Sequence, residues 1–449
     1  MLTLVCHSWP FLHFHHILLP LPVVNIAGLS SLFFEGCHSA AISGNFSDNL
    51  FSSQTFTPVQ NGQFCPCDLF ATLASHSWPL LHFHQAFLFD FGATLKGFKS
   101  PFFVGCHCFA SSGFNVAKQF DLTVFCSGVK YKNQPAVFNG AQLKYINLNA
   151  NGIQSIPYDI ISIYKSLKFA DAVLILGVSG CIFLPFVKFF GKNKIIVNID
   201  GLEWKRDKWG GFAKWFLKLS EGLAVKFADI VITDNKAIQQ YVFKEYKVNS
   251  SLIAYGGDHV KKEPIQDNDK KKYAFLNDNY AFKVCRIEPE NNLSIILEAF
   301  SYYNSLPIVI VGNWSNSYYG KELRRKYEKY LHIYMLDPIY NQKDIDALRS
   351  NCFVYIHGHS AGGTNPSLVE AMFLGLPIIA FDISYNRETT FESAIYFESV
   401  DTLISLLKTI NESSILKNIS LKMKKIADEH YLWKKITGKY AVIFNKSEY

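Results

Sequence analysis

The sequence has 449 residues, of which 49% are hydrophobic, 15% aromatic and 18% charged, and this composition excludes an intrinsically disordered protein. The formal net charge is +7, with lysine and arginine scattered among aspartate and glutamate rather than grouped in blocks. The pattern indicates solubility, or attraction to an anionic surface or a phosphate. It does not resemble the basic footprint of a nucleic-acid-binding protein, so we expect no nucleic-acid partner.

Residues 1–114 differ from the rest of the chain. They carry six charged side chains, whereas the remaining 335 residues carry 75. At an offset of 69 residues the segment matches itself: HSWP at 7–10 recurs at 76–79, and LHFH at 12–15 recurs at 81–84. Two copies are fewer than stacked repeats need for stability. We therefore predict that residues 1–114 are a tandem repeat, disordered or outside the fold.

Cysteine and histidine are concentrated in this repeat, with the densest groups at 65–67 (CPC) and 106–108 (CHC). The paired spacings of zinc sites are absent, which leaves a metal-binding N-terminal module as a minor alternative. No basic region precedes the apolar start, so a signal peptide is not predicted. Residues 1–34 are uncharged but contain three prolines, which argues against a membrane-spanning helix.

From residue 120 onward, apolar runs of strand length alternate with helical segments, a pattern typical of parallel βα units. Strands are predicted at 122–126, 143–147, 172–176, 195–199, 230–233, 281–284, 308–311, 333–336, 353–356 and 378–381. A polar segment at 261–272 separates the first five from the last five. We therefore predict an α/β chain with doubly wound domains at 115–262 and 273–430, followed by a C-terminal segment at 431–449.

In doubly wound sheets ligands bind beyond the carboxyl ends of the strands. After the strand predicted at 353–356, Gly362 and Gly363 allow the backbone to approach a ligand closely, and Pro366 suits the first turn of a helix. The N–H groups near Ser367 and Leu368 predict an anion site that fits a diphosphate.

Two charged residues complete this predicted donor site. Glu370, one turn into the helix, is placed to accept hydrogen bonds from ribose hydroxyls. Arg286, at the end of the neighbouring strand, is placed to neutralise phosphate oxygens. The alternative is a glycine-rich turn with a glutamate that favours the helix dipole.

The opposite domain offers acceptor-side candidates. Asp200 and Glu203 follow the strand at 195–199, where a carboxylate could orient or deprotonate an acceptor hydroxyl; a solvated loop is the alternative. His259 could contact donor or acceptor, or serve as a hinge residue. The aromatic and basic segment 181–194 fits an interfacial membrane contact, with buried helix packing as the alternative.

The run at 362–372 (GGTNPSLVEAM), followed by GLPIIA at 375–380, resembles the donor-binding motif of GT-B glycosyltransferases of the retaining, glycogen-synthase-like superfamily. Together with 198–206, 255–259 and 286–292, it resembles the bacterial rhamnosyltransferase-like branch that builds capsule and O-antigen repeat units. The resemblance covers the chain from about residue 116 onward. It implies two Rossmann-like domains facing a cleft, with residues 431–449 returning to the first domain.

The resemblance implies a retaining, metal-independent hexosyltransferase without a cofactor. Its donor would be a nucleotide-diphosphate sugar, dTDP-rhamnose in this branch, and its acceptor a lipid-linked saccharide. The enzyme would be cytoplasmic, in peripheral contact with the inner face of the cell membrane. Positive side chains and helix N-termini would stabilise the departing diphosphate. The donor-binding prediction comprises Gly362, Gly363, Thr364, Asn365, Ser367, Leu368, Glu370 and His259. The catalytic prediction comprises Arg286, Asp200 and Glu203.

The sequence departs from the family pattern in three places. Gly362 stands where the first glutamate of the paired Glu-x7-Glu is usual, and Asn291 replaces the usual lysine after Arg286. Nothing before Val116 matches the family's first strand, glycine-rich loop and helix. We therefore expect the N-terminal sheet to lack its first βα unit, which would leave exposed strand edges.

Two further alternatives remain open. A catalytically impaired remnant would keep the nucleotide-binding domain while the first domain binds no acceptor. A GT-B nucleotide-sugar epimerase would convert the donor without an acceptor.

Overall fold

The computed structural model describes residues 2–6, 120–129, 131, 133–150, 152–199, 201–206, 209–410 and 413–445, with the backbone alone for residues 2–6. Asp200 lies outside the described residues. Residues 7–119 lie outside them as well, including the predicted repeat and the minor zinc alternative.

The first domain is built on an eight-stranded sheet with the order β3-β4-β2-β1-β5-β6-β7-β8. The strands are β1 (Leu2–Cys6), β2 (Leu122–Ser127), β3 (Val137–Phe138), β4 (Ala141–Ile146), β5 (Ala172–Leu176), β6 (Lys194–Ile199), β7 (Ile230–Thr233) and β8 (Ser251–Leu252). All neighbouring strands are parallel except β3 and β4. The helices of this domain are α1 (Ser155–Ser166), α2 (Leu184–Phe190), α3 (Gly211–Phe227) and α4 (Lys236–Tyr246).

The expectation that this sheet lacks its first strand is wrong. Leu2–Cys6 forms β1, which pairs in parallel with β2 on one side and β5 on the other, so the interior position is filled. These residues precede His7, where the repeat match begins. A short uncharged run rich in leucine and valine is what an interior parallel strand requires. The chain between this strand and residue 120 lies outside the described residues.

The second domain is built on a parallel six-stranded sheet with the order β11-β10-β9-β12-β13-β14. The strands are β9 (Ala281–Val284), β10 (Ile308–Val311), β11 (Ile333–Leu336), β12 (Val354–His357), β13 (Ile378–Phe381) and β14 (Ile395–Phe397). The helices from here to the C-terminus are α5 (Asp267–Lys272), α6 (Leu293–Tyr302), α7 (Tyr318–Tyr327), α8 (Gln342–Ser350), α9 (Pro366–Phe373), α10 (Ser384–Thr389), α11 (Val400–Thr409), α12 (Ser413–His430) and α13 (Trp433–Asn445).

Both sheets are covered on their two faces, which explains their continuous apolar strands. In β6, Ile196 packs into one core cluster, while Ile195 and Val197 pack into the cluster on the opposite face. In β10, Val309 and Ile310 likewise pack into core clusters on opposite faces of the sheet. The ten strands predicted from the sequence are all present, with bounds that agree within two residues. The predicted α/β fold with two Rossmann-like domains is confirmed.

The last helix contacts the first domain. Trp433, Ile436 and Tyr440 of α13 are buried in the same core cluster as Leu122 of β2 and Leu174 of β5. Lys194 of β6 donates a hydrogen bond to the carbonyl oxygen of Ile443 at 2.9 Å. The C-terminal helix therefore ties the end of the chain to the first sheet.

Candidate functional site

A glycine-rich loop joins β12 to α9 at the carboxyl end of the second sheet. Gly362 has a φ of +101°, a left-handed conformation that favours glycine. The N–H of Ser360 donates to the carbonyl oxygen of Glu290 at 2.8 Å, which ties the loop to the turn that follows β9. We use the name glycine loop for residues 358–365. Its anchoring places the loop beside the turn that carries Arg286.

The start of α9 is capped by the loop itself. Asn365 is the N-cap residue, and its Oδ1 accepts from the N–H of Ser367 at 3.0 Å. The N–H of Leu368 donates to the carbonyl oxygen of Asn365 at 3.1 Å. In this arrangement the Asn365 cap uses both N–H groups, and their binding of an anion stays a prediction.

Glu370 lies in a buried ion pair. Its side chain is 1% exposed, Oε2 contacts Nη1 of Arg349, and Oε1 lies 3.0 Å from Nε2 of His259. Arg349 also binds Oδ1 of Asp346 at 2.8 Å. Although burial opposes it, the carboxylates of Glu370 and Asp346 hold the pKa of Arg349 above its usual value. The carboxylate predicted to bind ribose is thus already engaged by protein groups.

His259 links this ion pair to the C-terminal helix. Nε1 of Trp433 donates to Nδ1 of His259 at 3.1 Å. Because an indole nitrogen can only donate, Nδ1 is the acceptor, so the proton is on Nε2 and points to Glu370. His259 therefore lies between α9 and α13 and is bonded to both through its two ring nitrogens.

Arg286, the predicted diphosphate-binding residue, is half-buried at the end of β9, with Nη1 of its guanidinium closed off from solvent. Burial lowers the pKa of its guanidinium to about 10, helped by the positive charge of Arg206, while Glu290, Glu288 and Glu203 act in the opposite direction. The turn that carries it is fixed by Nδ2 of Asn291, which donates to the Arg286 carbonyl oxygen at 2.9 Å. Asn291 therefore has a structural role in place of the family's usual lysine.

One interpretation of the sequence placed Arg206 in a solvated loop. In the structure, however, Arg206 is buried, with 8% of its surface exposed. Its Nε lies 2.9 Å from Oε2 of Glu203, and its Nη1 lies 3.8 Å from Oε1 of Glu290 in the second domain. The predicted acceptor-side residue Glu203 is thus brought close enough to Arg286 to act on its charge. The sequence signal was the Lys205-Arg206 pair, which does not reveal that Arg206 points inward.

His357 and His359 flank the start of the glycine loop and are both buried. Burial holds the pKa of each histidine well below its usual value. At His357 the charge of Lys283 lowers the pKa further. At His359 the pKa is lowered further by the neighbouring groups His357, Arg286, Arg206 and Lys283. Nδ1 of His359 lies 3.2 Å from Oδ1 of Asn291. His359 therefore connects the glycine loop to the turn of Arg286 as a neutral side chain.

The two domains meet at the glycine loop. Gly201 has a φ of +74°, and a Cβ built on it would lie 2.7 Å from Cα of Gly362, so this approach requires glycine on the first-domain side. Asp234 and Asn235, at the end of β7, also contact the loop. Oδ2 of Asp234 accepts from the N–H of Thr364 at 2.9 Å, and Oγ1 of Thr364 donates to the carbonyl oxygen of Asp234 at 2.6 Å. Sequence reasoning did not identify either residue.

Within the described residues, no group of three or more His, Cys, Asp or Glu side chains is arranged to hold a metal ion. In the same part of the chain, no helix combines the length and the apolar character needed to cross a membrane.

Two family profiles match consecutive parts of the chain. Residues 99–258 match "Domain of unknown function (DUF1972)", and residues 265–413 match "Glycosyl transferases group 1". The first match begins at residue 99, inside the segment predicted to lie outside the fold. An uncharacterized glycosyltransferase of Methanocaldococcus jannaschii is 24% identical over 302 residues, which cover 63% of this chain and 71% of that protein.

Solved structures share the fold at low sequence identity. Sucrose-phosphate synthase from Thermosynechococcus elongatus superposes with a TM-score of 0.62 and 13% identity, covering 74% of this chain and 90% of that one. HepE from Anabaena, solved in complex with UDP-glucose, gives a TM-score of 0.60 and 14% identity, covering 76% and 95%. The family match makes residues 265–413 a glycosyl transferases group 1 domain, and the likeness to the solved structures shows that the chain has the GT-B fold.

Proposed function

We propose that the chain transfers a sugar from a nucleotide-diphosphate sugar to a saccharide hydroxyl, with Arg286 neutralising the departing diphosphate. The observation that carries this proposal is the half-buried Arg286 side chain beside Arg206. Desolvation of the guanidinium, helped by the charge of Arg206, lowers the pKa of Arg286 to about 10. A diphosphate bound at this point would favour the charged form of the Arg286 guanidinium. The turn that holds Arg286 is also bonded to the glycine loop through Ser360.

In the proposed reaction the bond between the anomeric carbon and the diphosphate oxygen breaks, and the diphosphate leaves with the electron pair. The acceptor oxygen bonds to the anomeric carbon, and its proton passes to a base. Glu203 is the described candidate for orienting or deprotonating the acceptor, with Asp200 as the second candidate. Fixed positive groups would stabilise the leaving diphosphate without a metal ion, and the anomeric configuration would be retained.

The donor proposed is dTDP-rhamnose and the acceptor a lipid-linked saccharide of cell-surface polysaccharide synthesis. The resemblance of the donor motif to rhamnosyltransferases supports this choice. HepE, a structural neighbour, was solved with UDP-glucose, which supports the nucleotide-sugar class of donor. Glu370 and His259 would contact the donor ribose. For this, Glu370 would give up its contact with either Arg349 or His259.

An exposed aromatic surface on α2 and α3 supports peripheral contact with a membrane. Its members are Phe186, Phe189, Phe190, Phe212 and Trp215. Phe189 is 81% exposed and Phe212 is 79% exposed. Lys192 after α2 and Lys214 on α3 add positive charge, whereas the charge of Lys188 is paired with Asp229. Aromatic rings that insert at the headgroup level, with nearby lysines, fit an anionic leaflet that carries a lipid-linked acceptor.

The experiment is a donor panel with the full chain. dTDP-rhamnose, a UDP-sugar and a GDP-sugar are each incubated with and without a lipid-linked saccharide, and the products are identified by mass spectrometry. Transfer from dTDP-rhamnose to the acceptor supports the proposal. Donor isomerisation without acceptor would indicate an epimerase instead. Donor binding without transfer or hydrolysis would indicate an impaired remnant.

A further inference from the structure

The turn between β7 and α4 reaches across the domain boundary. Asp234 is 1% exposed and Asn235 is 3% exposed, although both lie at the carboxyl end of the first sheet. Nδ2 of Asn235 donates to the carbonyl oxygen of Tyr385 and to Oγ1 of Thr389, each at 3.3 Å. The same side chain caps α4 by accepting from the N–H of Ala237 at 2.9 Å. One short turn thus caps its own helix and binds the opposite domain.

Asp234 shapes the glycine loop directly. A Cβ built on Gly363 would lie 1.9 Å from Oδ1 of Asp234, so no other residue fits at position 363 while Asp234 is in place. The loop backbone at Thr364 is held from two sides, since its N–H donates to the Asp234 carboxylate and its hydroxyl donates to the Asp234 carbonyl oxygen. The conformation of the loop therefore depends on a residue of the first domain.

The energetics favour this arrangement when the domains are in contact. A buried carboxylate is costly unless hydrogen bonds compensate it, and an N–H bond to a charged acceptor is stronger than a neutral one. Moving the domains apart would break the Thr364 bonds and the Asn235 bonds together. The fixed loop and the capped start of α9 would then lose their common support.

We propose that Asp234, assisted by Asn235, is a positioning residue for the donor loop. It acts through Thr364: the hydrogen bond from the Thr364 N–H fixes the backbone of Gly362 and Gly363 at the distance from which it can contact the donor. The donor site is thereby completed by the acceptor domain. This inference rests on the proposed function, because it assigns the glycine loop to the donor.

The test compares Asp234→Ala with Asp234→Asn in the full chain. An asparagine oxygen can still accept from the Thr364 N–H, whereas alanine cannot. We expect Asp234→Ala to raise the donor KM roughly 10- to 100-fold, the effect of losing a hydrogen bond to a charged group. We expect Asp234→Asn to recover most of that loss and the acceptor KM to change little in either variant.

Asp229→Ala is the matched control. Asp229 precedes the same strand at its opposite end, where it accepts from the N–H of Ile195 at 2.7 Å and pairs with Lys188. Like Asp234→Ala, the Asp229→Ala variant loses a carboxylate at one end of this strand, but its donor KM should stay unchanged. Circular dichroism and thermal unfolding would establish that all three variants are folded.

A folded Asp234→Ala protein with the wild-type donor KM would overturn the inference. Equal increases in donor and acceptor KM would also overturn it, as would an Asp234→Asn variant as impaired as Asp234→Ala. If the wild-type chain transfers no sugar, the proposed function fails separately. Calorimetric titration of dTDP into wild type and Asp234→Ala then decides the inference: weaker binding by the variant supports it, and equal or absent binding contradicts it.

Discussion

Nε2 of His259 lies 3.0 Å from Oε1 of Glu370, and these two residues are separated by 111 positions in the sequence. The contact joins the segment that leads out of the first domain to the helix that follows the glycine loop. Since Trp433 donates to the other ring nitrogen, the three side chains form one hydrogen-bonded chain from α9 to α13. The proposed donor site and the connection between the domains are therefore built from the same buried polar network.

Replacing Glu370 by alanine should cost stability as well as donor affinity. The change leaves Arg349 buried with Asp346 as its remaining described carboxylate partner, and removing one member of a buried ion pair typically costs about 3–5 kcal/mol. Trp433→Phe removes one neutral hydrogen bond to His259 and should cost about 1 kcal/mol. Urea unfolding measures both, and equal small losses would contradict the assigned ion pair.

Stability should fall as the pH drops below the ordinary histidine range. The folded protein holds the pKa of His357 well below its usual value, so the unfolded chain binds a proton near pH 6.5 that the folded chain does not. Stability is therefore retained above that pH and lost below it, by up to about 1.4 kcal/mol per pH unit for each such histidine.

His357→Phe isolates this effect, because phenylalanine keeps an aromatic ring beside Tyr355 and cannot titrate. We expect urea unfolding between pH 7.5 and pH 5 to show a shallower loss of stability in the variant, with the remaining slope due to groups such as His359. An identical slope in wild type and variant would contradict a buried neutral His357.

Membrane contact should depend on the aromatic surface of α2. We expect the full chain to sediment with vesicles containing phosphatidylglycerol. We expect Phe189→Ser/Phe190→Ser to bind them at least about 100-fold more weakly, since each of the two aromatic side chains contributes about 1.5–3 kcal/mol when fully inserted. Tyr302→Ser is the control, because Tyr302 is 72% exposed on the second domain. Equal binding by all three proteins would contradict the assignment.

The first strand should be sensitive to loss of one backbone N–H. Val5 pairs with Ile175 in the interior of the sheet, and proline cannot donate to a strand ladder. Val5→Pro should destabilise the chain by about 1–3 kcal/mol, the cost of leaving a buried partner unsatisfied. Val137→Pro in the edge strand β3 should cost less. Equal unfolding midpoints for Val5→Pro and wild type would contradict the placement of β1.

Most of the fold was predictable because its strands are buried on both faces. Such strands read as uninterrupted apolar runs, as in Ala172–Leu176 and Ile308–Val311, and these were located correctly. Val137–Phe138 and Ser251–Leu252 are two residues each, too short to give a pattern. Leu2–Cys6 was missed because it adjoins the repeat, whose composition obscured a run of strand-forming residues.

The proposed donor motif could be located in the sequence because its residues are adjacent, whereas the contacts of its side chains could not be predicted. Asp234 and Thr364 are 130 positions apart, and nothing local to either residue indicates the pairing. Arg349 was missed for the same reason, since its carboxylate partner Glu370 lies on another helix. A motif specifies residue types alone. It could not predict that Glu370 is bound by Arg349 and His259.

The most direct measurement is calorimetric titration of dTDP-rhamnose into the full chain, into Arg286→Gln and into Arg324→Gln. Arg324 is the control because it pairs with Asp337 on the surface of the second domain. Wild type and Arg324→Gln should bind equally, and Arg286→Gln should bind roughly 10- to 100-fold more weakly, as expected for a lost hydrogen bond to a charged group. Unchanged affinity in folded Arg286→Gln, or no binding of any nucleotide-diphosphate sugar by wild type, would contradict the account.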